Sequence, residues 1–335
     1  MKKLFIGLML FASILTLASC NEKEAKIVLT DEDGNTKEVV LSATDDVETV
    51  KYALEYACQA DYSDMKGLKM NQTASGSLDL DFLGSTIAFS GSSVSIINVE
   101  QGFDLSASYD LDMSSVGSST TKFNLEASSI FKLNNKDMEG YVFSEYSVSS
   151  NGLTLTADKE KTPFNFDDMI SNPDDEMTFD LDEILELIEQ FYDSFENSKI
   201  VISEANGDFY TIGIRLALDD IMNCLVGNLN EEITNDPKFQ KIVECVSGKE
   251  LEIFFKFETS TGYFVGYEFH LEDPTLLNLL VYFTTLFVGT IAVEDENFEI
   301  PELISNLKID FSASIKYGSF DVRSLSKSDI AKYNL

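Results

Sequence analysis

The chain has 335 residues, 44% of them hydrophobic, with 58 acidic against 24 basic residues and a formal net charge of -34. That hydrophobic content suffices for a folded core and argues against disorder despite the charge. The charge itself repels nucleic-acid phosphates and anionic headgroups, which excludes a nucleic-acid partner and any basic patch that would hold the chain at a membrane.

The first twenty residues carry the most specific signal. Lys2 and Lys3 precede an uncharged apolar run from Leu4 to Leu17, too short for a comfortable membrane span and right for a secretory signal. The run ends in Leu17-Ala18-Ser19-Cys20. This resembles the lipobox of bacterial lipoproteins. The resemblance implies cleavage before Cys20, a diacylglyceryl group on its thiol, and usually a third acyl chain on the new amino terminus. Two or more acyl chains make a stable anchor where one does not. Residues 1–19 are therefore expected to be the signal, 20–25 a short tether, and 26–335 the body. The expected location is extracytoplasmic, on a bacterial cell membrane or outer membrane, with Cys20 as the only attachment.

Beyond Cys20 there are Cys58, Cys224 and Cys245, an odd number without a tight spacing, so no disulfide framework follows. Cys224 and Cys245 fall in neighbouring helical segments, where a bridge and two small buried thiols both fit.

The body opens with two short strand patterns, Lys26 to Thr30 and Thr36 to Leu41, around Asp33-Gly34, a hairpin signal. The acidic turn is not an EF-hand loop, because Gly34 stands fourth after Asp31 rather than sixth. Asp45 with Glu48 three residues on reads as a helix start, followed by Val47, Val50, Leu54 and Ala57 at helical spacing. The period then drops to two. Phe103, Leu105, Ala107, Tyr109, Leu111 and Met113 alternate with polar residues, as do Phe123, Leu125 and Ala127, and later Phe131 and Leu133. Segments near 67–82, 85–99 and 138–157 follow the same rule with Ser and Thr on the polar positions. Such a run describes an antiparallel meander with one apolar and one wet face.

From Thr162 to Ser198 there are twelve acidic residues and no basic one. Its first part, 162–181, reads as a linker between two halves, 26–165 and 182–335. Its second part places Ile184, Leu185, Ile188, Phe191, Tyr192 and Phe195 on one helical stripe. A hairpin around Asn206-Gly207, helical segments near 219–229 and 236–247, and strands either side of Ser260-Thr261-Gly262 follow. A helix is expected from Asp273-Pro274, and a closing strand carries Ile309, Phe311, Ala313, Ile315 and Tyr317 on one face. Residues 276–293 hold no charge, but Asn278, three threonines and acidic flanks favour a buried helix over a membrane span.

These features together predict an α+β body: a large curved antiparallel sheet, a half-open barrel, with helices packed on its apolar face. The order of signal, lipobox, first helix, long meander, mid-chain helix and closing strands resembles LolA/LppX-like lipoproteins. That resemblance implies a half-barrel whose apolar cavity carries a lipid or lipidated cargo. The alternating Tyr and Phe positions and the uncharged 276–293 segment supply the candidate cavity lining: Leu279, Phe283, Phe287, Phe103, Tyr109 and Phe311.

No catalytic constellation stands out. The single histidine, His270, falls on the polar side of its strand beside Glu268 and Glu272, and no Gly-rich phosphate loop, CxxC, GxSxG or HExxH is present. Clusters such as Asp174-Asp175-Glu176 read as solvated surface rather than as a calcium site. No cofactor and no metal are expected. The expectation is a non-catalytic lipoprotein that binds a hydrophobic ligand. The alternative is a surface structural or interaction lipoprotein with a packed core and no ligand.

Overall fold

The computed structural model describes residues 24–30, 34–115, 120–133, 139–165, 190–192, 194–220, 244, 246–275, 277–278, 304–326, 328 and 331–332. The expected signal, 1–19, and Cys20 lie outside these residues. So do Leu279, Phe283 and Phe287, both Cys224 and Cys245, the cluster at Asp174, and the linker expected at 162–181 beyond Asn165.

Among the described residues there are thirteen strands: β1 (Ala25–Thr30), β2 (Thr36–Leu41), β3 (Gly67–Leu80), β4 (Ser85–Asn98), β5 (Gly102–Ser115), β6 (Thr121–Leu133), β7 (Glu139–Ser150), β8 (Leu153–Asn165), β9 (Lys199–Ala205), β10 (Phe209–Ala217), β11 (Glu250–Glu258), β12 (Phe264–Leu271) and β13 (Ile304–Tyr317). β1 and β2 form their own antiparallel pair. The other eleven form one sheet in the order β8-β7-β6-β5-β4-β3-β13-β12-β11-β10-β9. Every pairing from β12 through β13 and β3 to β8 is antiparallel.

The meander is therefore present, with one correction to its reading. The stretch 138–157 is not one strand: Asn151 (φ 48°) and Gly152 (φ 81°) turn the chain between β7 and β8. Asn-Gly is the pair that supplies two positive φ angles for a two-residue hairpin. Its second strand then continues to Asn165, so Thr162 to Asn165, expected to begin the linker, pair with β7 instead.

The described chain packs as two compact units. The first joins residues up to Ala60 with 200–213 and 256–264. Its helix α1 (Val47–Cys58) is capped by Asp46, one residue later than the sequence suggests, whose Oδ2 accepts from Thr49 N at 2.9 Å. The alternation of β1 buries Ala25, Ile27 and Leu29, while α1 buries Val50 and Ala53. Tyr210, fully buried, donates its hydroxyl to Ala53 O at 3.0 Å and stacks on Phe257 with ring centroids 5.4 Å apart. Thr44 and Ile202 exchange two backbone hydrogen bonds of 2.9 and 2.8 Å. Cys58, at the end of α1, is an exposed free thiol.

The second unit holds β3 to β8, β13 and β12 from Val265 onward, with the ends of the remaining strands. Its outer clasp is Asp220, a buried carboxylate that accepts from Asn197 N, Ser198 N and Ser198 Oγ at 2.9, 2.6 and 2.7 Å. Among the described residues no helix is long and apolar enough to cross a membrane, which says nothing of strands.

Candidate functional site

Register divides the side chains of the second unit between two faces. One carries the apolar residues. Phe269, Phe311, Ala74, Gly91, Tyr109, Leu125 and Val148 form a single row across seven strands. Two of the expected cavity residues, Phe311 and Tyr109, thus share a row, with Ala74 and Gly91 between them. The gap is closed from one side: a Cβ on Gly91 would lie 2.1 Å from the Tyr109 ring, so the ring lies flat over this glycine. Phe89 covers Gly76 in the same way, at 2.7 Å. Phe103 is on the same face but six residues along β5 from Tyr109, about 20 Å away.

Beside this row the apolar face has a polar seam that sequence reading missed. Tyr267, Gln72 and Ser93 sit on β12, β3 and β4. The Ser93 hydroxyl donates to Gln72 Oε1 at 2.8 Å, and Gln72 Nε2 donates to the Tyr267 hydroxyl at 3.1 Å. Ser93 is only 5% exposed, so these bonds satisfy a hydroxyl that burial would otherwise leave without a partner. The seam is bordered by the stack of Tyr267 on Phe311, centroids 5.6 Å apart. Elsewhere the face is mixed: Ala313 and Leu271 are buried, whereas Ile97 is 47% exposed, Tyr146 45%, and Met113 and Leu125 40% each.

The opposite face is polar, and it holds a trough of about 730 Å³ across β4 to β8. Its floor is two rows. Ser92, Ser108, Glu126, Ser147 and Ala157 stand in one, and Val94, Ser106, Ser128, Glu145 and Lys159 in the next. Glu145 accepts from Ser128 Oγ at 3.3 Å and pairs with the Lys159 ammonium. The hydrogen bond from Lys159 holds the Glu145 carboxyl below the usual carboxylate range; burial opposes this, and the charges of Lys159 and Arg323 add to it.

A third row, Ile96, Asp104, Ile130, Phe143 and Lys161, marks one flank, where Ile130 and Asp104 are 1% and 5% exposed. The segment after β13 is tied down here. Asn98 Nδ2 donates to Phe320 O at 2.8 Å, and Val322 N donates to Gln101 Oε1 at 2.9 Å. Arg323 grips Asp104 through Nε and Nη2 at 2.8 and 2.6 Å. This strap was not legible in the sequence, where the pattern ends at Tyr317. Arg323 and Lys332 line the trough from the strap's side.

His270 stands on the polar face, as its strand position suggested. Its main partner is Asp310 on β13, Nδ1 to Oδ1 at 2.7 Å, with Glu268 3.8 Å from Nε2. The cross-strand partner was hidden because sequence shows neighbours along a strand and not across it. Hydrogen bonding to His270 lowers the Asp310 carboxyl.

Among the described residues no three His, Cys, Asp or Glu side chains gather as metal ligands would. No protein-family model and no curated protein matches the chain. Among solved structures, a crystal structure of a β-barrel-like protein of a domain of unknown function from Brucella abortus is similar to it. That match has 7% identity and covers 78% of this chain and 100% of the other, with a TM-score of 0.23.

Proposed function

We propose that this is a non-catalytic, extracytoplasmic lipoprotein, anchored through Cys20, that holds a hydrophobic ligand against the apolar face of its sheet. In this reading the sheet is a half-open barrel whose helices close over that face. The observation that carries it is the partial exposure of that face at Ile97, Met113, Leu125 and Tyr146, four large side chains on four adjacent strands. A sheet whose large apolar groups stay 40–47% exposed leaves unused hydrophobic area for a ligand. The polar seam of Tyr267, Gln72 and Ser93 would meet the polar end of an amphiphile.

The full chain, purified from membranes, is extracted with organic solvent and the extract analysed by mass spectrometry. A stoichiometric lipid, reduced when Leu125 is changed to Asp, is expected. An extract without lipid, together with no uptake of a fluorescent fatty acid, overturns the ligand. Cys20→Ala should release the chain from the membrane fraction, and its retention there overturns the anchor.

The packed-core alternative has its own support. Tyr109 spends one face of its ring on Gly91, as a residue filling a gap within the sheet does. A ligand-free extract with an intact anchor favours that reading.

A further inference from the structure

We propose that the trough on the polar face binds a neutral oligosaccharide lying across the strands from β4 to β8. This site is separate from the apolar face and needs no lipid there. Four observations lead to it.

The first is shape. Two rows over five strands make a floor about 19 Å long and ~7 Å between rows, the dimensions of a short linear sugar chain. By register the side chains that stand on the floor are serine, alanine and valine between Glu126, Glu145 and Lys159; Ala107, Ala127, Tyr146 and Asp158 also line the trough, but they alternate to the other face. The strap bearing Arg323 gives the trough a wall on one flank.

The second is hydrogen-bonding capacity. The hydroxyls of Ser92, Ser106, Ser108 and Ser147 and the carboxylate of Glu126 make no hydrogen bond to the protein among the described residues. Serine both donates and accepts, and an unpaired carboxylate accepts from two neighbouring hydroxyls at once. A ligand carrying many hydroxyls is the chemical complement of that set.

The third is charge. Lys159 is held by Glu145 and Arg323 by Asp104, so these two cations arrive already compensated, and Lys332, the third in the lining, is not free either. In a chain of net charge -34 an anionic ligand meets repulsion, and a neutral one does not. The fourth is the backbone. β4 to β7 are paired on both sides, so their peptide groups are committed to the ladders. An extended peptide, which docks through main-chain hydrogen bonds at a sheet edge, has no partner on this floor.

The test uses the full chain in micelles of a detergent without a sugar headgroup. It is titrated with neutral hexose and pentose tetrasaccharides, with uronic-acid tetrasaccharides, and with a set of unstructured peptides. Neutral tetrasaccharides should bind, and Ser106→Phe with Ser108→Phe should weaken them at least tenfold by filling the floor. Glu126→Gln, which keeps the volume, should weaken them about fivefold; it decides the case if the double variant does not fold. Ser75→Phe, on the same face of β3 outside the trough, should change nothing. The proposal is overturned if no neutral tetrasaccharide binds at millimolar concentration. It is equally overturned if binding ignores both Phe and Gln variants, or if uronic acids or peptides bind in preference. Because the hydrophobic ligand sits on the other face, lipid content of the Phe variant stays at the wild-type level.

Discussion

Arg323 sets its guanidinium against both carboxylate oxygens of Asp104, Nε at 2.8 Å and Nη2 at 2.6 Å, across 219 positions of chain. Asp104 also accepts from the backbone N–H of Arg323 at 3.1 Å, so one carboxylate fixes both the side chain and the main chain of the strap. The Asp104 side chain is 6% exposed and that of Arg323 is 47% exposed. The energetic weight therefore falls on the acid, which has left water, and the arginine is the group that makes this tolerable.

Arg323→Ala strands that carboxylate. Breaking a wholly buried pair costs ~3–5 kcal/mol, and the open side of Arg323 lets water repair part of the loss, so about 2 kcal/mol is expected here. Urea unfolding of Arg323→Ala, Asp104→Asn and the double variant measures it. The double variant should lose clearly less than the two singles together, because the uncharged amide no longer needs the guanidinium. Additive losses would mean that strap and sheet are held by something else.

Asp220 gives a pH dependence with a defined sign. Burial alone pushes its carboxyl up, but the hydrogen bonds from Ser198 and Asn197 outweigh burial and hold it below the ordinary value of 3.8. A lowered native pKa stabilises the fold at pH values above the unfolded pKa, and that contribution disappears as the pH falls through the native one. Acid titration of stability below pH 4 should therefore be steeper in the wild type than in Asp220→Asn. Asp310, lowered by its bond to His270, has the same sign, but its side chain is 35% exposed and its contribution is screened.

The two-residue periodicity made most of the meander legible, since it reports which face a side chain takes and needs no partner to be known. The closing strand and the side of the sheet taken by His270 followed from it. The split between β7 and β8 did not, although Asn151-Gly152 was there to read, because Ser and Thr on both sides blur the alternation. Residues 162–165, the start of the expected linker, prove to be the end of β8, because Pro163 hides a strand until its pairing with β7 is seen. Site geometry was the least accessible. Phe311 and Tyr109 share a row only because β13 inserts beside β3, and the trough forms from serines that individually signal nothing but a wet face. Long-range pairing and the strap are properties of strand order, which period-two patterning does not contain.

Gly152 isolates backbone conformation from packing. Its φ is 81°, and a Cβ there would meet nothing within 4 Å. Gly152→Ala therefore adds no clash and only the left-handed penalty of an L-residue, about 1 kcal/mol. Chemical denaturation should show that loss with an unchanged m-value. A neutral result would mean that the β7–β8 turn relaxes without cost to the pairing.

Gly91 is the opposite case, in which space rather than φ decides. An added Cβ would lie 2.1 Å from Tyr109 Cδ1 and 2.6 Å from Ser108 O. The ring can swing away, whereas the carbonyl belongs to β5 and is paired in the sheet. Gly91→Ala is thus expected to lose roughly 1–3 kcal/mol, the range of overpacked interiors. Tyr109→Ala separates the two obstacles. If the ring is the main obstacle, Gly91→Ala in the Tyr109→Ala background should cost much less than in the wild type. If the carbonyl dominates, the cost should stay the same in both. The same pair of variants bears on function, because Tyr109 cannot at once lie flat over Gly91 and stand up to grip a ligand. Loss of bound lipid in Tyr109→Ala at unchanged stability would make the ring a ligand contact. Lost stability with lipid retained would make it part of the sheet's own packing.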